Sequence, residues 1–213
     1  NVDYLYSIFG NIYPIKGSVK KGHFNIKQMK VNNIHSPLID INVEINNGLW
    51  DDISFDKLRL STKLNNRRLE PFTLDVDTPF GFMRSNGWCN IGLPTDSVLF
   101  IPEDSLNFSI AFDKFDLIEL NKYLPWEIES SGLLSGIAEI KGNVKDYEII
   151  GDMVIENPGF DKVKGDSLSS IFSFKKNLLY FNKIEITTAG GKYLGKGHIP
   201  INIDLLSGEK IQI

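Results

Sequence analysis

A single cysteine, Cys89, stands among the 213 residues. That excludes an internal disulfide and any zinc cage built from several thiolates, and it leaves the redox compartment open. No run of eighteen apolar residues occurs, so no stretch reads as a membrane-spanning helix. The start at Asn1, without a charged and apolar leader, and the close on alternating Lys210-Ile211-Gln212-Ile213 lead to the expectation of an excised piece of a longer protein. Clustered positive charge is also missing. Acidic residues outnumber basic ones for a net charge of −4, and the paired cations Lys20-Lys21, Arg67-Arg68 and Lys175-Lys176 sit beside turn residues Gly22, Asn66 and Asn177. Such pairs are solvated turn charge, and no nucleic-acid partner is expected.

Catalytic constellations are equally sparse. His23, His35 and His198 are scattered, with no spacing that brings two ligands onto one face, so no metal site is expected. Asp75 and Asp77 share a strand face and Asp51-Asp52 flank a turn, which makes paired-carboxylate chemistry conceivable. Their opposition to Leu74 and Val76 points them to water instead. Cys89 beside Trp88 has no histidine near in sequence to activate it and reads as a small core residue. Gly190-Gly191 and Gly195-x-Gly197 lack the Lys-Ser/Thr pair and helix start of a phosphate loop; alternating Ile199-Pro200-Ile201 follows, so these glycines are expected to permit sheet curvature. No cofactor and no catalytic residue is expected, and the chain is read as not an enzyme.

What the sequence has in abundance is apolar/polar alternation, the mark of strands with one buried and one wet face. Ile39 to Asn46 alternates strictly, as do Phe72 to Asp77, Leu106 to Asp113, Lys183 to Thr187, and Ile199 to Leu205. Asn46-Asn47-Gly48, Asn65-Asn66, Pro79-Phe80-Gly81, Asn157-Pro158-Gly159, Lys176-Asn177 and Gly190-Gly191 punctuate these runs as expected tight turns. Two segments depart from this pattern. Leu117, Leu120 and Leu124 fall at helical spacing behind a capping-box pair, Asp116 and Glu119, and Pro125 ends the run. Tyr4 to Phe9, closed by Gly10, is a second short helix candidate.

An offset of 110 residues aligns the two halves, which divides the chain into repeats at 1–111 and 112–213. It sets Asn47-Gly48-Leu49-Trp50-Asp51 on Asn157-Pro158-Gly159-Phe160-Asp161, Leu58 on Leu168, Leu64 on Phe174, and Leu74 on Ile184. It also sets Val76 on Ile186, Gly81 on Gly191, and Gly87 on Gly197. Upstream, Asp3-Tyr4-Leu5 meets Asp113-Lys114-Phe115, Tyr13 meets Tyr123 and Gly22 meets Gly132. Units of this kind stack on their neighbours and share a core.

In the second repeat a proline-ended helix, Leu120 to Pro125, precedes Ser131-Gly132-Leu133-Leu134-Ser135-Gly136-Ile137-Ala138-Glu139-Ile140-Lys141-Gly142. Gly151 to Asn157, Asp166-Ser167-Leu168 and Gly191 to Pro200 follow. In this order residues 112 to 205 resemble the TamB-like proteins, within the AsmA-like bridge-like lipid transport proteins; residues 1 to 111 share the likeness only through the repeat. The resemblance implies an all-β fold, a curled antiparallel sheet or taco-like groove, with one or two short amphipathic helices. It implies a periplasmic or cell-envelope location, an inner-membrane anchor on the parent protein, phospholipid movement to the outer membrane, and a role in outer-membrane protein assembly with a β-barrel partner.

The expected apolar lining is Ile39, Ile41, Val43, Ile45, Leu64, Leu74, Val76, Phe108, Ile110, Phe172, Phe174, Ile184, Ile186, Ile199, Ile201 and Ile203, facing phospholipid acyl chains. The same alternation also fits a closed β-sandwich. Trp50, Trp126 and Phe80, read as exposed near turns, suit a surface adhesin or scaffold repeat that holds protein or glycan.

Overall fold

The computed structural model describes residues 15–26, 39–50, 53–65, 68–90, 105–121, 129–143 and 145–201. Nearly all of them are strand: β1 (Ile15–Ile26), β2 (Ile39–Trp50), β3 (Ile53–Asn65), β4 (Arg68–Thr78), β5 (Gly81–Asn90), β6 (Ser105–Asp116), β7 (Ser130–Asn143), β8 (Tyr147–Phe160), β9 (Val163–Lys164), β10 (Ser167–Lys175), β11 (Leu178–Thr188) and β12 (Gly191–Pro200). One helix of four residues, α1 (Leu117–Leu120), lies between β6 and β7. The strands hydrogen-bond in sequence order in one open antiparallel sheet, with the short β9 pairing β8 off the main path. The all-β expectation therefore holds, and among the described residues there is no second sheet.

These residues fall into two compact units, one within 1–79, 83–108 and 143–145, the other within 80–82, 109–142 and 146–213. The expected repeat boundary at 111/112 lies inside β6.

In the first unit, β2 sets Ile39, Ile41, Val43 and Ile45 directly opposite Leu64, Thr62, Leu60 and Leu58 of β3. Leu58, Leu60 and Thr62 in turn oppose Val76, Leu74 and Phe72 of β4. Opposed residues share a face, so the aliphatic side chains of three strands are gathered on one side. Two small clusters form there, one around Phe55, Leu58 and Val76, the other around Leu64, Leu69 and Cys89. In the second unit, Leu168 of β10 opposes both Ile155 of β8 and Ile186 of β11, while Phe174 opposes Ile149 and Leu179. Clusters around Leu117, Ile155 and Leu168, and around Tyr147, Phe174 and Ile201, follow.

The 110-residue offset reappears in element bounds and in register. β4 at 68–78 is matched by β11 at 178–188, and β5 at 81–90 by β12 at 191–200. The pairs Leu58↔Val76 and Leu168↔Ile186 are the same register moved by that offset. Upstream of β2 the register overturns one sequence match. β1 slips against β2 at Gly17, between Lys16↔Leu49 and Ser18↔Asn46; β7 slips against β8 at Gly132, between Ser131↔Gly159 and Leu133↔Glu156. Gly132 thus corresponds to Gly17, and Gly22, opposite Val43, corresponds to Gly136, opposite Met153. Unequal connections and strand lengths together explain the change of offset, because twelve residues join β1 to β2 and three join β7 to β8, while β7 and β8 are each two residues longer than β1 and β2. The matches at Asp3 to Leu5 and at Tyr13, and the helix candidate at Tyr4 to Phe9, lie outside the described residues.

Three local expectations change. Asn46-Asn47-Gly48 and Asn157-Pro158-Gly159 are not chain reversals but lie within β2 and β8. Asn47 at φ 51° and Asn157 at φ 50° take the left-handed region, which asparagine tolerates, and bend the strands without ending them. Lys176-Asn177, at φ 50° and 61°, is a genuine two-residue hairpin turn. At α1, Asp116 caps by accepting from the Ile118 amide at 3.0 Å, but its own amide donates to the Phe80 carbonyl at 2.8 Å. The reciprocal half of the expected capping box is replaced by this bond to the β4–β5 turn.

Candidate functional site

The expected lining residues can be placed individually. Ile39, Ile41, Val43, Ile45, Leu64, Leu74 and Val76 share the apolar face of the first unit, and Phe108 packs against the Leu64, Leu69 and Cys89 cluster. Ile110, two residues further along β6, is half-buried. Phe172, Phe174, Ile184 and Ile186 share the apolar face of the second unit. Ile199 joins them opposite Leu179, at 41% exposure, and Ile201 is buried against Tyr147 and Phe174. Ile203 lies outside the described residues.

Burial along this face is incomplete. Ile41, Val76 and Phe174 are buried, whereas Ile39, Val43, Ile45, Leu74, Phe172, Ile184 and Ile186 are half-buried. Among the described residues no side chain is sealed to below 2% exposure. A closed sandwich core of this size would seal several.

The sequence reading missed Tyr147, Ile149, Ile155 and Leu168 on the same face. In β8 the period of two is hidden because Ile150 and Val154 are apolar on the opposite face, at 49% and 43% exposure. With Ile137 and Ile171, which both oppose Asp152, they form an exposed aliphatic ring around that carboxylate. The alternation Tyr147, Ile149, Gly151, Met153, Ile155 was the signal that could have revealed the inner set.

Two hydroxyls sit within the apolar face. Thr62 and Ser170 are each 2% exposed, and neither hydroxyl has a hydrogen-bond partner among the described residues. A buried, unpaired hydroxyl costs on the order of 1 kcal/mol or more. Thr62→Val keeps the shape and removes the cost, so urea unfolding should show a gain of about 1 kcal/mol.

The opposite face of the first unit is laced by cross-strand ion pairs. Glu44 is 3.3 Å from Lys57 and 3.5 Å from Arg59, Asp40 is 3.9 Å from Lys63, and Arg84 grips Asp75 at 2.7 Å. Asp75, expected to point freely into water, is therefore held by Arg84, and that bond and charge raise the Arg84 pKa. Burial pushes the Glu44 carboxyl up, but Lys57, Arg59 and Lys21 together hold it below its ordinary value. In the second unit, hydrogen bonds first from Lys192 and then from Lys183 lower the Glu185 pKa. A depressed carboxylate adds stability above its unfolded value, and that stability is lost as pH falls through the folded value. Thermal melts across the acid range should therefore show a smaller loss for Glu185→Gln than for the unchanged chain.

Phe80, read as an exposed aromatic, is half-buried and meets Phe115 edge to face at 5.6 Å. The side chain of Trp50, and all of Trp126, lie outside the described set. Cys89 is buried, as read. Among the described residues no three His, Cys, Asp or Glu side chains gather as a metal site, and no helix is long and apolar enough to cross a membrane.

No family model, curated protein or solved structure matches this chain.

Proposed function

We propose that the apolar face shields phospholipid acyl chains, and that the chain is a section of a periplasm-spanning repeat protein conducting phospholipid between inner and outer membranes. In this reading the parent protein is anchored in the inner membrane and works with an outer-membrane β-barrel partner, as the resemblance to TamB-like proteins implies. The observation that carries it is the half-buried aliphatic row running across successive strands of each unit. Ile39, Val43 and Ile45 in the first unit, and Phe172, Ile184 and Ile186 in the second, keep part of their surface available.

Physical chemistry favours a lipid tail as the occupant. Covering a sixteen-carbon acyl chain at roughly 0.8 kcal/mol per methylene is worth on the order of 10 kcal/mol gross. Apolar contact is non-directional, so a tail held this way can slide along the row. The ion-paired opposite face of the first unit keeps its other side wet. The test is organic extraction of the purified chain, prepared from bacterial membranes without detergent, followed by mass spectrometry against a control protein. Phospholipid enrichment is expected; a folded sample with none would overturn the reading.

A further inference from the structure

The two units carry opposite chemistry on the face turned away from the aliphatic row, although their strands pair in the same register. In the first unit Asn42 of β2 lies opposite Ser61 of β3; in the second, Asp152 of β8 lies opposite Ile171 of β10, 110 residues on. Around Asn42 the neighbours are polar and engaged with one another. Asn42 accepts from the Ser61 hydroxyl at 2.7 Å and donates to Asp40 at 2.9 Å, while Asp40 and Glu44 hold Lys63 and Lys57. Around Asp152 the same places are aliphatic: Ile150 stands for Asp40, Val154 for Glu44 and Ile171 for Ser61. Ile137 of β7, also opposite Asp152, closes the ring.

All four aliphatic residues are between 43% and 49% exposed. The sheet does not require them, since the first unit keeps the same register with ion pairs. Scattered apolar side chains on a surface are ordinary, but a contiguous set marks a place of contact. Neighbours directly opposite stand about 5 Å away, Cβ to Cβ, and those two places along the strand about 7 Å, so one incoming side chain that reaches Asp152 meets all four.

The carboxylate decides what can dock. Among the described residues nothing pairs with it, and the nearby lysines are engaged elsewhere: Lys141 by Glu139, Lys175 by Glu148 at 3.8 Å, and Lys183 by Glu185 at 3.1 Å. A purely apolar surface laid over the ring would strip water from Asp152 and put nothing in its place, which is strongly unfavourable. A cation that reaches it replaces that water, and the ring then keeps solvent off the pair and strengthens it.

We propose that this ring is a docking site for a separate protein that presents one Arg or Lys set among aliphatic side chains. Charge is matched at the centre and apolar surface around it, and the carboxylate rejects a partner lacking the cation. A second copy brought face to face by a two-fold axis would lay Asp152 against its own counterpart, like charge on like. The inference is independent of the lipid reading, since it concerns the other face of the sheet.

A phage-displayed library of random linear peptides, panned on the full 213-residue chain and counter-selected on its Asp152→Asn variant, supplies the probe. Enriched peptides should carry an Arg or Lys flanked by Ile, Leu or Val. A synthetic copy of the most enriched one, followed by fluorescence anisotropy, should bind saturably and lose about tenfold or more in affinity on Asp152→Asn and on Ile171→Ser. Asp40→Asn, on the ion-paired face of the first unit, should leave binding unchanged. Asp152 and Ile171 are exposed, so both variants keep the fold, which circular dichroism checks. No enrichment, enrichment of peptides without a cation, or binding indifferent to Asp152→Asn overturns the proposal. Carbodiimide labelling should modify Asp152 in the free monomer as readily as the exposed Asp161; a protected Asp152 would mean that a segment of this chain covers it. Dimers in sedimentation that dissociate on Asp152→Asn would mean that a second copy does. Retention on phosphatidylethanolamine vesicles, lost on the same change, would mean that a lipid ammonium does. Each of these three results also overturns it.

Discussion

Ile184→Asp or Val43→Asp should reduce the phospholipid recovered with the purified chain by tenfold or more. Ser169→Lys, on the opposite face, should leave recovery unchanged. Each aspartate places a carboxylate in the middle of an aliphatic row. Ile184 is paired between Ser170 and Gly195, and Val43 between Gly22 and Leu60. A tail lying over either position would have to strip water from the charge, at a cost well beyond the tenfold threshold of about 1.4 kcal/mol. Both residues are only half-buried. The charged side chain therefore reaches water when no lipid is present, and the fold tolerates it better than a change at Phe174, which is 3% exposed. Ser169 pairs opposite Glu185, so a lysine there is accommodated electrostatically. Equal lipid loss in all three variants, with circular dichroism unchanged, would show that the apolar face is not where lipid is held.

The second large effect concerns stability. Gly87→Val should destabilise the chain by about 3 kcal/mol in urea unfolding, because the new side chain collides with the backbone of β6 and not with a flexible tip. Gly197→Val, at the matching position of the other half, where nothing among the described residues comes within 4 Å of an added Cβ, should change stability by no more than about 0.5 kcal/mol, or raise it, since valine favours extended backbone. The same substitution at two positions 110 residues apart therefore reads directly whether a neighbouring strand is in place. Matching losses at both would mean that the β12 edge is already covered.

Much of the fold is legible in the sequence where only one face of a strand is apolar. Ile39 to Ile45 and Phe72 to Asp77 alternate cleanly because their outward residues are charged or amide side chains that meet partners such as Lys63, Arg59 and Arg84 across the sheet. β8 was harder to read, because Ile150 and Val154 make its outer face apolar as well and mask the period. Gly22 has its counterpart at Gly136 and not at Gly132 for a different reason. Sequence offset assumes equal connections, while hydrogen-bond register tolerates unequal ones, and so Gly17 took the place opposite the β2 bend that Gly132 takes opposite β8. Asn46-Asn47-Gly48 and Asn157-Pro158-Gly159 carry turn chemistry in the sequence, and the ladder that continues on both sides of Asn47 and Asn157 keeps them within a strand.

By itself the sequence determined the strands, their wet and greasy sides and the 110-residue recurrence, because alternation and turn chemistry are local properties of neighbouring residues. Only the tertiary structure decided which glycines lie against a neighbouring strand, which hydroxyls are stranded in the apolar face, and how far Ile184 or Val43 is covered. Each of those depends on what a distant strand places against the residue, and a contact between Gly87 and Phe108 leaves no trace in the spacing of either.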